Sequence, residues 1–519
     1  MNMIKRELRG APSLLFYLMI FIVLSFSSCD LFFGSSGSSQ TLQSYGSVGD
    51  HQVGFYARDL ENNWRVVDSE LRAYERHNAF VYVERGASLG GLEAEEILDE
   101  FGNEIRPIVA NKLGEADFVN SLGVSSNDRS VVILVLDLGA PDATGAMLLG
   151  YFDPLHAYQR TSGNPYSNEL PMVFLNSRLL TDFGGSFSSR VNQFHLTLAH
   201  EFQHLHNFYF NVGHQQIGQM DTWIDEMLSA AAEYYYDGVQ QARIDYFTGA
   251  SYGFTVKNDD DDDRPLNYNP YVAMGQNHVA WGRPWTDVLT SYASVHMKMN
   301  WLRLHAADPD LDPNGDDLEI FRDMVLSPHT NALAVSDATS DTRIRTNGWD
   351  ELLRTWAAAN WLRLDTELLG YKGQTPFQNG EIETLNQWLD DSNQVLSDSK
   401  YVLGPGEFIY ITPDSGSSFD VAVTDSDIFY ARLMSDNVEP TGTLHVNETL
   451  LAYNTHTDPS ASTRQTRALP LEDSLVTSSS ISSLSSTDSG SLQVTPPPGP
   501  HGIDMVFRDS GAGGVSAQG

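Results

Sequence analysis

His200, Glu201 and His204 stand in the run His200-Glu201-Phe202-Gln203-His204, which fits the pattern H-E-x-x-H. On a helix, residues four apart share a face, so both imidazoles can point at one ion. The glutamate beside them can then act as general base toward water activated by that ion. Imidazole and carboxylate donors suit zinc, and a catalytic zinc takes three protein ligands and keeps one position open. The flanks fit this use. Phe194-His195-Leu196-Thr197-Leu198-Ala199 precedes the run and Leu205 and Phe208 follow it. They give the helix an apolar face to bury while the histidines point inward.

A third ligand has to come from elsewhere. The metzincin pattern H-E-x-x-H-x-x-G-x-x-H requires Gly at 207 and His at 210, where this chain has Asn207 and Phe210, so that class is excluded. His206 follows His204 by two positions, on the wrong side of the same helix, and reads as an outer-sphere or surface residue. A carboxylate from the next helical stretch remains, Trp223-Ile224-Asp225-Glu226-Met227-Leu228-Ser229-Ala230-Ala231-Ala232-Glu233. Glu226 lies 22 positions after His204, enough for a turn and an antiparallel return. Asp225 is the nearest rival, facing about 100° away on that helix. Glu233 shares the face of Glu226 and can hydrogen-bond a ligand histidine or stand as a surface carboxylate.

The elements that must hold these residues are partly legible. Periodicity predicts helices over 191–211 and 221–236, and two later ones over 286–306 and 349–364. Upstream, 79–83, 130–136 and 172–176 read as strands, and 92–113 as a helix. Residues 407–411 and 419–423 return to strand texture, and Asp504-Met505-Val506-Phe507 could be a late strand rejoining them. The expected organisation is an α/β lobe over 49–190, a zinc-binding helical lobe over 191–365, a small β domain over 395–455 and a low-complexity tail over 456–519. The five aspartates at 259–263 read as a solvated loop. Asp308, Asp310, Asp312 and Asn314 alternate like a calcium loop, but the closing glutamate is missing at loop spacing, so a solvated turn is expected.

The N-terminus reads as a targeting segment. Lys5, Arg6 and Arg9 precede an apolar stretch from Ser13 to Phe26, which ends in Phe26-Ser27-Ser28-Cys29. Small residues before a cysteine resemble the processing site of bacterial lipoproteins. Cys29 is the only cysteine in the chain, so it has no disulfide partner within it. The expectation is a signal peptide over 1–28, a lipid anchor on Cys29 and a flexible Ser/Gly-rich tether over 29–48. The formal net charge of −37 argues against nucleic acid as a partner.

Around the metal run the chain resembles the gluzincins. These place their glutamate ligand in a W-[IL]-N-E-G-like stretch, which Trp223-Ile224-Asp225-Glu226-Met227 resembles. Within that class it is most similar to the hyicolysin-like secreted bacterial peptidases, through Gly150-Tyr151-Phe152, Ala199 to His204, and Glu233 seven residues past Glu226. The likeness covers roughly residues 75–365. Asp225 stands where Asn is usual, Met227 where Gly is usual, and Ala230 lacks an acidic residue found in many relatives. The resemblance implies Glu226 as third zinc ligand, Glu201 as catalytic base, and Tyr292 as stabiliser of the transition-state oxyanion, with His278 and His296 as weaker rivals. It implies a zincin-like α+β fold with the strand 172–176 near the substrate. The expected function is that of a lipid-anchored zinc endopeptidase of the bacterial cell envelope, acting on protein or peptide substrates. The alternative is a surface-exposed binding or adhesion lipoprotein with a structural zinc site, and a second rival is a zinc hydrolase of non-peptide targets.

Overall fold

The computed structural model describes residues 51–248, 288–306 and 319–378, with breaks at 60–62, 76–77, 115–129, 142–146, 341, 343, 345–348 and 364–367, and elsewhere only short strands. Cys29, the tether over 29–48, His278 and the calcium-like run at 308–314 lie outside the described residues. Among the described residues no helix is long and apolar enough to cross a membrane. The chain divides into two compact units. One comprises Met1–Val23, Leu42–Asn103 and Ser130–Leu198, the other Leu24–Thr41, Glu104–Arg129 and Ala199–Gly519.

The first unit is built on a six-stranded mixed sheet. Its strands are β1 (His51–Arg58), β2 (Trp64–Glu75), β3 (Ala79–Glu84), β4 (Val131–Leu136), β5 (Gly150–Tyr151) and β6 (Met172–Asn176), in the spatial order β1-β2-β3-β4-β6-β5. β3, β4 and β6 run parallel, and the flanking pairs are antiparallel. All six residues of β4 are buried, as expected of a parallel strand covered on both faces, and that explains its unbroken Val/Ile/Leu run. Register shifts at Val53/Phe55 and Leu71/Ala73 bend β1 and β2, as bulges do. The sheet curls until its two outer strands meet. The Arg58 amide donates to Tyr151 Oη at 2.8 Å, and Arg58 Nε to Asp153 Oδ2 at 2.9 Å. The side-chain amide of Asn168 bonds both backbone groups of Tyr56.

Met172–Asn176 is thus an inner strand, and the short strand Gly150–Tyr151 forms the edge beside it. Two residues are too few to announce themselves by alternation. A Cβ on Gly150 would lie 2.7 Å from the Phe174 carbonyl oxygen and 3.0 Å from side chains of Leu175 and Thr197, so only glycine lets this edge lie so close. Asn176 closes β6 with four bonds. Its Nδ2 donates to the carbonyls of Gly139 and Leu148, and its Oδ1 accepts from the amides of Leu138 and Arg178.

Where a single helix is expected over 92–113, two occur, α1 (Ala94–Glu100) and α2 (Arg106–Leu113), joined by a wider π turn over Phe101–Ile105. Pro107 follows directly on the π turn at the start of α2, where it donates no backbone hydrogen bond to the preceding turn. α3 runs from Phe187 to Phe208 and continues into a π turn over Tyr209–Gln215.

The second unit is mainly helical. It contains α2, the end of α3, α4 (Thr222–Asp237), α5 (Gln241–Phe247), α6 (Val288–Ala306), α7 (Glu319–Leu326), α8 (Ala332–Ser340) and α9 (Trp349–Leu362). α6 packs against both α4 and α5. It is buried on every side from Ser291 to His305, so apolar periodicity alone could not orient it. Ala230, Ala231 and Ala232 are buried on α4 and keep that helix slim. Further on, Phe408–Ile411, Ile428–Ser435, Val446–Tyr453 and Gly502–Arg508 pair as antiparallel strands, with Gly502–Arg508 lying between the first two. The expected late strand around Asp504 therefore does return to the earlier ones.

Candidate metal centre

α3 and α4 bring His200, His204 and Glu226 together, all three buried. His200 Nε2 lies 3.0 Å from His204 Nε2 and 3.1 Å from Glu226 Oε2, and His204 Nε2 lies 3.6 Å from that oxygen. The opposite nitrogen of each ring faces a carboxylate. His200 Nδ1 is 2.7 Å from Glu233 Oε1, and His204 Nδ1 is 2.8 Å from Asp225 Oδ2. An Nδ1–H donated to a carboxylate leaves the Nε2 lone pair free. Two imidazole Nε2 atoms and a carboxylate oxygen then converge on one point. Glu226 Oε2 is buried and faces the two rings, while Oε1 accepts a hydrogen bond from Tyr292 Oη at 3.2 Å.

Such a cluster calls for a cation, and its dimensions fit zinc. Donor atoms on a tetrahedron with bonds of about 2.1 Å lie about 3.4 Å apart. The three observed separations bracket that distance, and the donor set is the imidazole and carboxylate chemistry zinc takes.

Electrostatics of the metal-free protein agree. Burial disfavours charge on the two histidines, but the carboxylates around them win. Glu226 and Glu233 raise His200 above the usual histidine range, and Asp225 and Glu226 raise His204 well above it. Glu226 is pulled down to about 2, because His204 and His200 outweigh the opposing effect of burial. Protons on the rings then supply the positive charge that the cluster demands. Glu201 is buried next to them, and burial pushes its carboxyl up to about 7 against the pull of both histidines. It is poised to exchange a proton near neutrality.

The structure places each expected residue as follows. His200, Glu201 and His204 sit on α3, Glu226 and Glu233 on α4, and Tyr292 on α6 with its hydroxyl engaged by Glu226. Burial and the charge of Glu226 hold the Tyr292 hydroxyl protonated, as a donor. His296, four residues on, is buried and kept neutral by burial and by the charges of Arg243 and Arg303. His206 is not a surface residue. It is a core histidine, pushed down to about 4 by burial.

Two partners were not anticipated. Asp225, weighed only as a rival ligand, serves as acceptor for His204. Arg243 on α5 donates from Nη2 to the same Glu233 oxygen that meets His200, at 2.7 Å. Its helix shows no pattern linking it to the metal run, so sequence carried no signal for it.

The family model described as Peptidase M30 matches residues 116–246. The neutral metalloprotease ShpI of Staphylococcus hyicus is 28% identical over 251 residues, which make up 47% of this chain and 48% of that protein. The chain resembles the hyicolysin-like metallopeptidases. It spans about half the length of that curated relative. The segment matched by the family model contains the three clustered residues, Glu201 and all their charged partners, and Tyr292 lies beyond it. Asp225 presents a carboxylate to His204 Nδ1, and Glu233, seven residues past Glu226, presents one to His200 Nδ1.

Proposed function

We propose that this chain is a gluzincin-type zinc endopeptidase, with His200, His204 and Glu226 as ligands and Glu201 as catalytic base. The observation that carries this reading is the convergence of two imidazole Nε2 atoms and Glu226 Oε2 while both Nδ1 atoms are committed to carboxylates. A bound zinc supplies Lewis acidity toward the scissile carbonyl and lowers the pKa of water to about 7. Glu201, buried and held near neutrality, accepts the proton of the attacking water and returns it to the leaving amine. Glu233 and Asp225 keep each histidine in the tautomer that presents Nε2. Tyr292 fixes Glu226 through Oε1, and its protonated hydroxyl is the nearest candidate oxyanion donor that the resemblance suggests.

The test is zinc content together with cleavage of an unstructured protein, with and without chelator, for wild type and Glu201→Gln. Zinc-dependent cleavage in wild type, lost in Glu201→Gln with zinc retained, is expected. A wild type that binds zinc and cuts nothing would point to the binding-lipoprotein alternative.

The location is part of the same proposal. Phe26-Ser27-Ser28-Cys29 after a basic and apolar leader supports export and lipid attachment at Cys29 in the bacterial envelope. Mass spectrometry should find a diacylglycerol adduct on Cys29, and a free thiol there would remove the anchor from the reading.

A further inference from the structure

Asp225 faces two donors. One is His204 Nδ1. The other is Asn207 Nδ2, 2.6 Å from Asp225 Oδ1. Asn207 begins a ladder of side-chain amides spaced four residues apart. Asn211 Nδ2 donates to Asn207 Oδ1 at 2.6 Å. Gln215 Nε2 donates to Asn211 Oδ1 at 3.0 Å and to the Val325 carbonyl on α7 at 3.0 Å. Asn207 and Asn211 are buried, so their amides would be costly without partners. The ladder follows the end of α3 and the π turn over Tyr209–Gln215.

The bonds share one direction. Asn207 and Asn211 each donate toward Asp225 and accept from the next amide along, and Gln215 donates at the far end. Aligned amides of this kind reinforce one another, and their positive ends face the carboxylate. One Asp225 oxygen is then fixed by Asn207, which leaves the other for His204. If Asp225 swung away, Asn207 Nδ2 would keep only its contact with Met220 Sδ at 3.5 Å, a weak acceptor. The ladder ends on one of the two carboxylates that face the clustered histidines, the other being Glu233.

We infer that Asn207, backed by Asn211 and Gln215, is a positioning residue for the metal centre, acting through Asp225 on His204. This rests on the zinc reading above.

The experiment measures zinc affinity of the full chain by competition with a chromophoric chelator, alongside the thermal midpoint of the metal-free protein. Asn207→Leu should lower zinc affinity by about tenfold or more, the loss typical of removing an outer-sphere partner. Asp225→Asn should lower it too. In the Asp225→Asn background, Asn207→Leu should add little further loss, because both changes act on one path. A general loss of packing would instead lower the thermal midpoint and add to the Asp225→Asn effect. Gln215→Met, at the half-exposed end, provides a milder variant if Asn207→Leu does not fold, and should lower zinc affinity by a smaller factor. Unchanged zinc affinity in the variant that folds, or losses that simply multiply in the double variant, overturn the inference. A wild type that binds no zinc overturns it together with the proposed function. Normal zinc binding by wild type without any effect at Asn207 or Gln215 overturns this inference alone.

Discussion

One oxygen of Glu233 meets both His200 Nδ1 and Arg243 Nη2, each at 2.7 Å. The carboxylate therefore faces a proposed metal ligand and a buried guanidinium at once. Glu233→Gln keeps the acceptor but removes the charge. It should reduce zinc affinity about 10–100-fold and destabilise the fold by about 3–5 kcal/mol, as expected when a buried ion pair loses one partner. Zinc competition and urea unfolding read the two effects separately. An unchanged zinc affinity would show that Glu233 serves Arg243 alone.

Zinc binding should strengthen with pH across neutrality. His200 and His204 are raised above 6.5 in the metal-free protein, so binding must displace protons from them. Each displaced proton contributes about a tenfold change in affinity per pH unit. The same raised values stabilise the metal-free fold below pH 6.5, and that contribution is lost as pH rises through them. Calorimetric titrations in buffers of different ionisation enthalpy count the released protons. A pH-independent affinity would be the contrary result.

Gly150→Ala tests the sheet edge. The added methyl would press on the Phe174 carbonyl and on the side chains of Leu175 and Thr197. A loss of about 1–3 kcal/mol is expected from overpacking, measured by denaturant unfolding. Unchanged stability would show that β5 can shift outward at no cost.

Lys298→Met should stabilise the protein. Lys298 Nζ is buried without a hydrogen-bond partner among the described residues, 4.0 Å from the Trp349 ring centre and 4.9 Å from that of Trp356. Burial pushes its pKa well below 10.5. The unfolded chain therefore binds the proton more readily, and stability should rise with pH until the unfolded lysine also loses it near 10.5. Methionine fills the same space without the amine. A gain of about 1–3 kcal/mol at neutral pH and a flatter alkaline rise are expected from unfolding curves. A loss instead would mean that the contact with the tryptophan faces outweighs the burial cost.

How far the sequence reached depended on whether a residue acts within its own element. His200, Glu201 and His204 are readable because one helix sets their geometry, and Val131–Leu136 because burial on both faces leaves an unbroken apolar run. Glu226 needed the resemblance, since spacing alone left Asp225 open. The break between α1 and α2 is marked by Gly102 and Pro107 only in hindsight, because the apolar spacing carries straight across it. Arg243, the acceptor role of Asp225 and the amide ladder depend on how α3, α4, α5 and α7 meet, and no local pattern encodes that. β5 is too short to show any period, although Gly150-Tyr151-Phe152 was visible as part of the resemblance.

The curl of the first sheet has a consequence for the company this protein keeps. At Tyr56 and Arg58, outward backbone groups of β1 are taken by Asn168 and by the Tyr151 hydroxyl. An unpaired border strand is a template on which foreign chains can polymerise. By occupying these positions with its own side chains, the protein denies passing polypeptides a foothold on this border. Under the proposed peptidase function, extended chains could be handled elsewhere on the surface without fouling this border.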